Sequence, residues 1–302
     1  MKSYLCSNIS LRAPLFVAAW VLASSFWGTD VGAQTTHYFD VNGASVSGSG
    51  VVNSSSYSWT DSFWTTRSGG ANSGSPVVAW VSGSNANFSA SNDGTGTFQV
   101  TIASAVTANT VIRAEGTPNF KASANFTINT ASNLSSSALT LAGGTLTLGG
   151  TGSYSFASLY VTGDSVLDFG SAVTGGSTLT FGSIYIASGA TLAVRNWVSG
   201  TDSLIATNVF SGGTVTDAVG PSYSGTSALS AGSSVTGVTL SANSAAGATA
   251  YWNGASLGFA TTPIPEPSTY GAMLMAGCAG LFGLRRWRAK RRATPGSVEV
   301  GS

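Results

Sequence analysis

The sequence predicts an all-β body wound as a right-handed parallel β-helix or solenoid, with an antiparallel β-sandwich as the alternative. An N-terminal signal helix and a C-terminal transmembrane helix frame it. Three observations carry this reading. Only 8% of the 302 residues are charged, and a chain so poor in Lys and Glu cannot clothe the outer faces of ordinary amphipathic helices. The 39 glycines invite a disordered reading, yet 8 Trp, 9 Tyr and 14 Phe stand against it, because disordered segments lack aromatic and β-branched residues. Finally, a glycine turn followed by an alternating strand recurs along the chain.

In order, residues 1–33 read as a secretory signal. Lys2 and Arg12 supply the positive start, Leu15 to Trp27 the apolar core, and Val31-Gly32-Ala33 the small residues that signal peptidase prefers. Cleavage is expected between Ala33 and Gln34. Residues 34–130 then form an N-terminal β-rich region. Tyr38 to Val41 is a strand before the Asn42-Gly43 turn, Val77 to Val81 is a short buried strand, and Thr97 to Ile102 alternates cleanly. Trp59, Phe63, Trp64 and Trp80 are close in sequence. Large aromatics early in a stacked β-structure are suited to plugging its open first layer.

Residues 131–262 carry the repeats. Gly144, Gly163, Gly189 and Gly213 each lead an alternating strand at intervals of 19, 26 and 24 residues, within the period of roughly 20 to 50 that marks stacked repeats. Leu146, Leu148, Val166, Leu192 and Val194 are predicted to face inward, with Thr and Ser laddering outside. A sandwich has no need of unequal yet recurring glycine-led units. Weaker strands at Ser234 to Ser241 and Ala250 to Trp252 are assigned to last coils or a cap.

The stretch 263–292 has three parts. Pro265-Glu266-Pro267 is stiff and extended, since each proline fixes its own φ and restricts the residue before it. Ser268 to Leu284 is uncharged and as a helix would span roughly 25 Å, a little short of a hydrocarbon core. Arg285, Arg286, Arg288, Lys290, Arg291 and Arg292 follow, and by the positive-inside rule they stay cytoplasmic, with 293–302 as a cytoplasmic tail. This order resembles the PEP-CTERM sorting signal of Gram-negative bacteria, although such signals commonly stop near the basic cluster and this chain continues. The resemblance implies that an exosortase recognises the tripeptide and removes the helix, releasing or re-attaching the body at the cell surface, often in an exopolysaccharide or biofilm setting. In the body, FDVNG, WTDSFWTT and PVVAWVSGSNANFSA resemble the opening of proteins built from autotransporter-associated β-strand repeats.

Charge and chemistry narrow the function. Between Gln34 and Ile264 four bases (Arg67, Arg113, Lys121, Arg195) face eight acids (Asp40, Asp61, Asp93, Glu115, Asp164, Asp168, Asp202, Asp217), a balance of four negative charges. That argues against nucleic acid as a partner, which needs clustered cations. Cys6 lies in the leader and Cys278 in the terminal helix, so a body freed of both ends has no thiol. Asp164 and Asp168, read on one strand face, lie about 13 Å apart at the rise of a strand, too far for a glycosidase pair. His37, the single histidine, is expected to be exposed near the mature end and not a general base. Asn92-Asp93-Gly94 and Gly163-Asp164 read as turns. No catalytic, cofactor-binding or metal-ligating set emerges, and no cofactor is expected. The chain is therefore expected to be an exported, non-enzymatic surface or matrix protein, processed by signal peptidase and exosortase and held transiently in the inner membrane. Exopolysaccharide or copies of itself are the partners considered. A secreted β-helix polysaccharide lyase or glycosidase is the alternative.

Overall fold

The computed structural model describes residues 34–260, apart from 46–47, 52, 92, 171–175 and 241–247. The predicted signal helix, the C-terminal helix, Ala33, Pro265, Glu266, Pro267 and the basic cluster lie outside the described residues. Among the described residues no helix is long and apolar enough to cross a membrane.

The described chain is all-β. A first winding holds β1 (Thr36–Phe39), β2 (Ser56–Ser58) and β3 (Trp64–Thr65). The next two each lay down three strands: β4 (Asn85–Phe88), β5 (Thr97–Ile102) and β6 (Val106–Ala108), then β7 (Val111–Arg113), β8 (Thr117–Ala122) and β9 (Asn125–Ile128). Longer strands then alternate with short ones: β10 (Asn133–Leu141), β11 (Thr145–Leu148), β12 (Gly152–Val161), β13 (Ser165–Asp168), β14 (Ser177–Ala187), β15 (Leu192–Arg195) and β16 (Ser203–Thr216). Last come β17 (Ser222–Ser224), β18 (Ser234–Leu240), β19 (Ala248–Trp252) and β20 (Ser256–Ala260).

Strands of successive windings pair in parallel. One ladder runs β2-β5-β8-β10-β12-β14-β16 and a second runs β6-β9-β11-β13-β15-β18. A separate short sheet, β3-β1-β4-β7, holds the start of the early windings. A parallel neighbour requires a crossover, so each winding contributes one strand to each ladder in turn. An antiparallel sandwich would not give this pattern; a β-helix or solenoid is compatible with it.

The register aligns the core. Val100, Phe120, Leu139, Leu159, Ile184 and Val209 stand opposite one another on the first ladder. On the second, the row is Val106, Phe126, Leu146, Leu167, Val194 and Leu240. All are buried, as expected of parallel strands shielded on their inner face. Leu146, Leu148, Leu192 and Val194 point inward as predicted. Val166 does not: it shares a row with Thr145 and Ala193 and is only half-buried, while Leu167 fills the core. The turn is the cause. Ser165 is buried, its hydroxyl donating to the Gly163 carbonyl and accepting from the Gly143 amide, and this extra residue in the corner shifts the strand by one.

Two further expectations change. Gly213 does not open a repeat: it lies within β16, whose last residues pair antiparallel with β17, and the repeat strand is β18. Val77 to Val81 is no buried strand. Only Val78 bridges to Trp64, and Val78 and Val81 are 41% and 52% exposed. Glycine marks the close corners. A side chain at Gly170, where φ is +73°, would enter the Leu148 carbonyl of the preceding winding.

The two ends close differently. At the first windings Trp59 is fully buried, with ring centroids 5.3 Å from Trp64, 5.3 Å from Trp80, 5.2 Å from Phe88 and 5.3 Å from Phe126. At the other end, β19 and β20 form an antiparallel hairpin that pairs with β18 on one side and β16 on the other. It joins the two ladders into one 16-stranded sheet.

Candidate functional site

The outward side of the first ladder carries the most elaborated surface among the described residues. Thr101, Lys121, Thr140, Tyr160, Tyr185 and Phe210 share one outward register row. Rows of identical register place like side chains one strand spacing apart, about 4.8 Å. The aromatic members use this: Tyr160 and Tyr185 stack at 4.7 Å and 15°, and Tyr185 and Phe210 at 4.8 Å and 18°. Ring faces are turned onto one another, Tyr160 buried and Tyr185 and Phe210 half-buried. Burial first, then the neighbouring Tyr185, raises the Tyr160 phenol above its ordinary pKa, and a hydrogen bond with Ser158 opposes the shift.

The hairpin of β16 and β17 lies across this side. At its root Tyr223 packs on Tyr185 at 5.1 Å and on Phe210 at 5.5 Å, its hydroxyl 2.9 Å from the Thr226 hydroxyl. Its tip reaches the earliest windings. Lys121 pairs with Asp217, Gln99 Nε2 donates to the Ala218 carbonyl at 3.0 Å, and Asn119 Nδ2 donates to the Val219 carbonyl at 2.7 Å. From β16 back to β8 the strap crosses roughly 20 Å of ladder at the spacing of paired strands. Gln99 and Asn119 face outward, yet they are 8% and 7% exposed because the strap covers them.

Six of the body's eight acids accept from the fold's own amides and hydroxyls. Buried Asp40 accepts from the amides of Asn42, Gly43 and Ala71. Asp93 accepts from the Ser49 amide and hydroxyl, Glu115 from the Gly94 amide, and Asp164 from the Thr191 hydroxyl. Asp168 accepts from the Gly170 amide and Asn196 Nδ2, and Asp202 from the amides of Ser177 and Val198. These are carboxylate bonds that fix turns between windings. Asp164 sits in the turn before β13 and not on the strand, so it does not share a strand face with Asp168. Among the described residues, no group of three His, Cys, Asp or Glu side chains is placed to hold a metal ion.

His37 is not exposed. It is 4% exposed, because β1 alternates and turns His37 and Phe39 to the interior. Its ring meets Trp80 edge to face at 5.8 Å, and Nδ1 has no hydrogen-bond partner. Burial lowers its pKa, with a hydrogen bond to the Thr35 backbone opposing.

Gln34, on the near side of the expected signal cleavage, is exposed at the start of the described chain; the rest of the sorting and processing residues lie outside it. Sequence reasoning missed Tyr160, Tyr185, Phe210 and the strap. A signal existed for the ladder: Leu159-Tyr160, Ile184-Tyr185 and Val209-Phe210 place an aromatic after a core aliphatic at two intervals of 25 residues. Nothing local marks the strap, whose tip bonds span 119 and 100 residues. No protein-family model, no curated protein and no solved structure matches the chain, and the resemblances drawn above rest on the quoted residues alone.

Proposed function

We propose that this chain is an exported, exosortase-processed structural or adhesion protein of the cell surface or extracellular matrix, associated with exopolysaccharide, its body a right-handed β-solenoid. The observation that carries the reading is the fixed order Pro265-Glu266-Pro267, the uncharged span 268–284 and six cations in eight residues. A bare membrane anchor has no use for the rigid tripeptide. In this reading signal peptidase cuts after Ala33 and the terminal span is a temporary handle in the inner membrane, with Arg285 to Arg292 inside the cell. Exosortase then acts near Glu266. The alternation of β-strands in two ladders supports a repeat body, since each winding buries its apolar face only against its neighbours.

A non-catalytic role is supported by where the carboxylates go. Asp40, Asp93, Glu115, Asp164, Asp168 and Asp202 accept from the fold's own amides and hydroxyls, and Asp217 pairs with Lys121. Hydrolysis or elimination on a glycan asks for acids or bases converging on one groove. Threonine rows on the second ladder, Thr107, Thr127 and Thr147 in register, offer regularly spaced hydroxyls to polysaccharide or to another copy.

The test is mass spectrometry of the protein from its native cell surface, beside a Glu266→Ala variant. Expected are a mature N-terminus at Gln34, a C-terminus near Pro267, and accumulation of the unprocessed form in the variant. Identical processing of variant and parent, or a full-length chain recovered from the cytosol, overturns the proposal.

A further inference from the structure

We propose that Tyr185 and Tyr223 are an oxidative cross-linking site: a carbon–carbon bond between their rings would fasten the β16–β17 strap to the first ladder. The rings lie 5.1 Å apart at 32° and come from different elements, β14 and β17, that are not paired with each other. Both side chains are half-buried, within reach of a small oxidant. The chain between Gln34 and Thr262 contains neither Cys nor Met, so the sulfur that oxidants otherwise attack is absent there. Tryptophan is the other oxidisable side chain: Trp59, Trp64 and Trp252 are buried, and the half-buried Trp80 and Trp197 compete for the oxidant without joining Tyr185 to Tyr223.

The chemistry is a two-electron oxidation. Each phenol gives up one electron and its hydroxyl proton to become a phenoxyl radical. The two radicals join through ring carbons ortho to the oxygens, and the hydrogens on those carbons move to the oxygens as aromaticity returns. The pair thus loses two hydrogen atoms, and hydrogen peroxide, acting through a haem peroxidase, accepts them and leaves as two waters.

Geometry selects the partner. Tyr160 stacks closer to Tyr185, at 4.7 Å, but the two hold the same register on adjacent strands. Strand spacing fixes their Cβ atoms near one another, whereas a biaryl bond splays the two Cβ atoms apart. Tyr223 is free of that register, since β17 pairs only with the tail of β16 through Ser222, Tyr223 and Ser224. The bond would make permanent a strap whose tip rests on the half-exposed Lys121–Asp217 pair and two amide–carbonyl bonds.

The experiment treats dilute full-length protein with hydrogen peroxide and a haem peroxidase, then digests it with trypsin. Cleavage follows Lys121, Arg195 and Arg285, so Tyr160 and Tyr185 share one fragment and Tyr223 lies in the next. Expected, after reduction of disulfides, are the blue fluorescence of a coupled tyrosine pair and the two fragments joined with the loss of two hydrogens, any oxygen added at Met273, Met275 or Cys278 being counted apart. Tyr160→Phe keeps the joined fragments; Tyr185→Phe and Tyr223→Phe each lose them. Phe210 already holds a place in the ladder, and Tyr223→Phe gives up only the exposed contact with the Thr226 hydroxyl, so the variants fold. Fragments that stay separate, coupling that survives Tyr223→Phe, or covalent dimers without the internal link each overturn the assignment.

Discussion

The two ends of the stack solve one problem in two ways. Any finite stack of windings leaves an apolar cross-section and unpaired strand edges at each end, and both invite association. The first windings answer with volume. Phe39, Trp59, Trp64, Phe88, Phe98, Phe120 and Phe126 are buried there, and the terminal strands are short, β2 with three residues and β3 with two. The last windings answer with hydrogen bonds. β19 and β20 turn antiparallel, β19 running along β18 and β20 meeting Leu204 and Ile205 of β16, with Trp252 and Leu257 buried and Phe259 packed on Trp197. Side-chain mass closes the end whose strands are short; at the other end backbone pairing of an added hairpin takes a larger share of the task.

The comparison breaks most visibly at Trp59. Trp59→Ala removes the centre of the aromatic plug and is expected to cost about 3–5 kcal/mol, seen as a lower urea midpoint and as fast hydrogen exchange in β2 and β5. A loss under about 1 kcal/mol would mean that the neighbouring rings refill the site. At the opposite end, Ala250→Pro puts a residue without an N–H into the middle of β19, a strand with a neighbour on each side. A buried carbonyl losing its partner costs about 1–3 kcal/mol. Here the telling readout is sedimentation, because opened edges of β16 and β18 are expected to make the protein associate with rising concentration, and Trp59→Ala is not expected to do so. The smallest effect is a pH dependence confined to the first end. His37 has a lowered pKa when folded, so the unfolded chain binds more protons. Its contribution is complete above the unfolded value, about 6.5, and is lost as pH falls from there through the folded pKa. Hydrogen exchange is expected to quicken in β1 and β4 between neutral pH and pH 5, while β19 and β20 are unchanged. His37→Gln flattens the difference; a uniform change along the chain would place the titration elsewhere.

Much of this was legible from local pattern. Glycine followed by alternation located β11, β13 and β15, and the weaker strands expected from Ser234 and from Ala250 fall in β18 and β19. What failed were matters of one residue or of distance. Ser165 buried its hydroxyl in a corner and moved Val166 out of the core; alternation alone has no memory of how many residues a corner uses. Gly213-Thr214-Val215-Thr216 looks like any glycine-led strand, yet its partner is Tyr223 a few residues on, and not the winding before. His37 was judged by nearness to a chain end, although β1 carries it into the interior. The outer aromatic row repeats at a fixed interval and was readable in principle. The strap was not, because Gln99, Asn119 and Lys121 meet their partners only after the intervening windings are stacked.

That strap makes the molecule a ruler. Ordinary stacked repeats tolerate the loss or gain of a unit, since each one knows only its neighbours. Here a single hairpin measures from β16 to the windings of β5 and β8, and its fixed reach matches one number of units. Drift in copy number during evolution would leave its tip hanging over the wrong row.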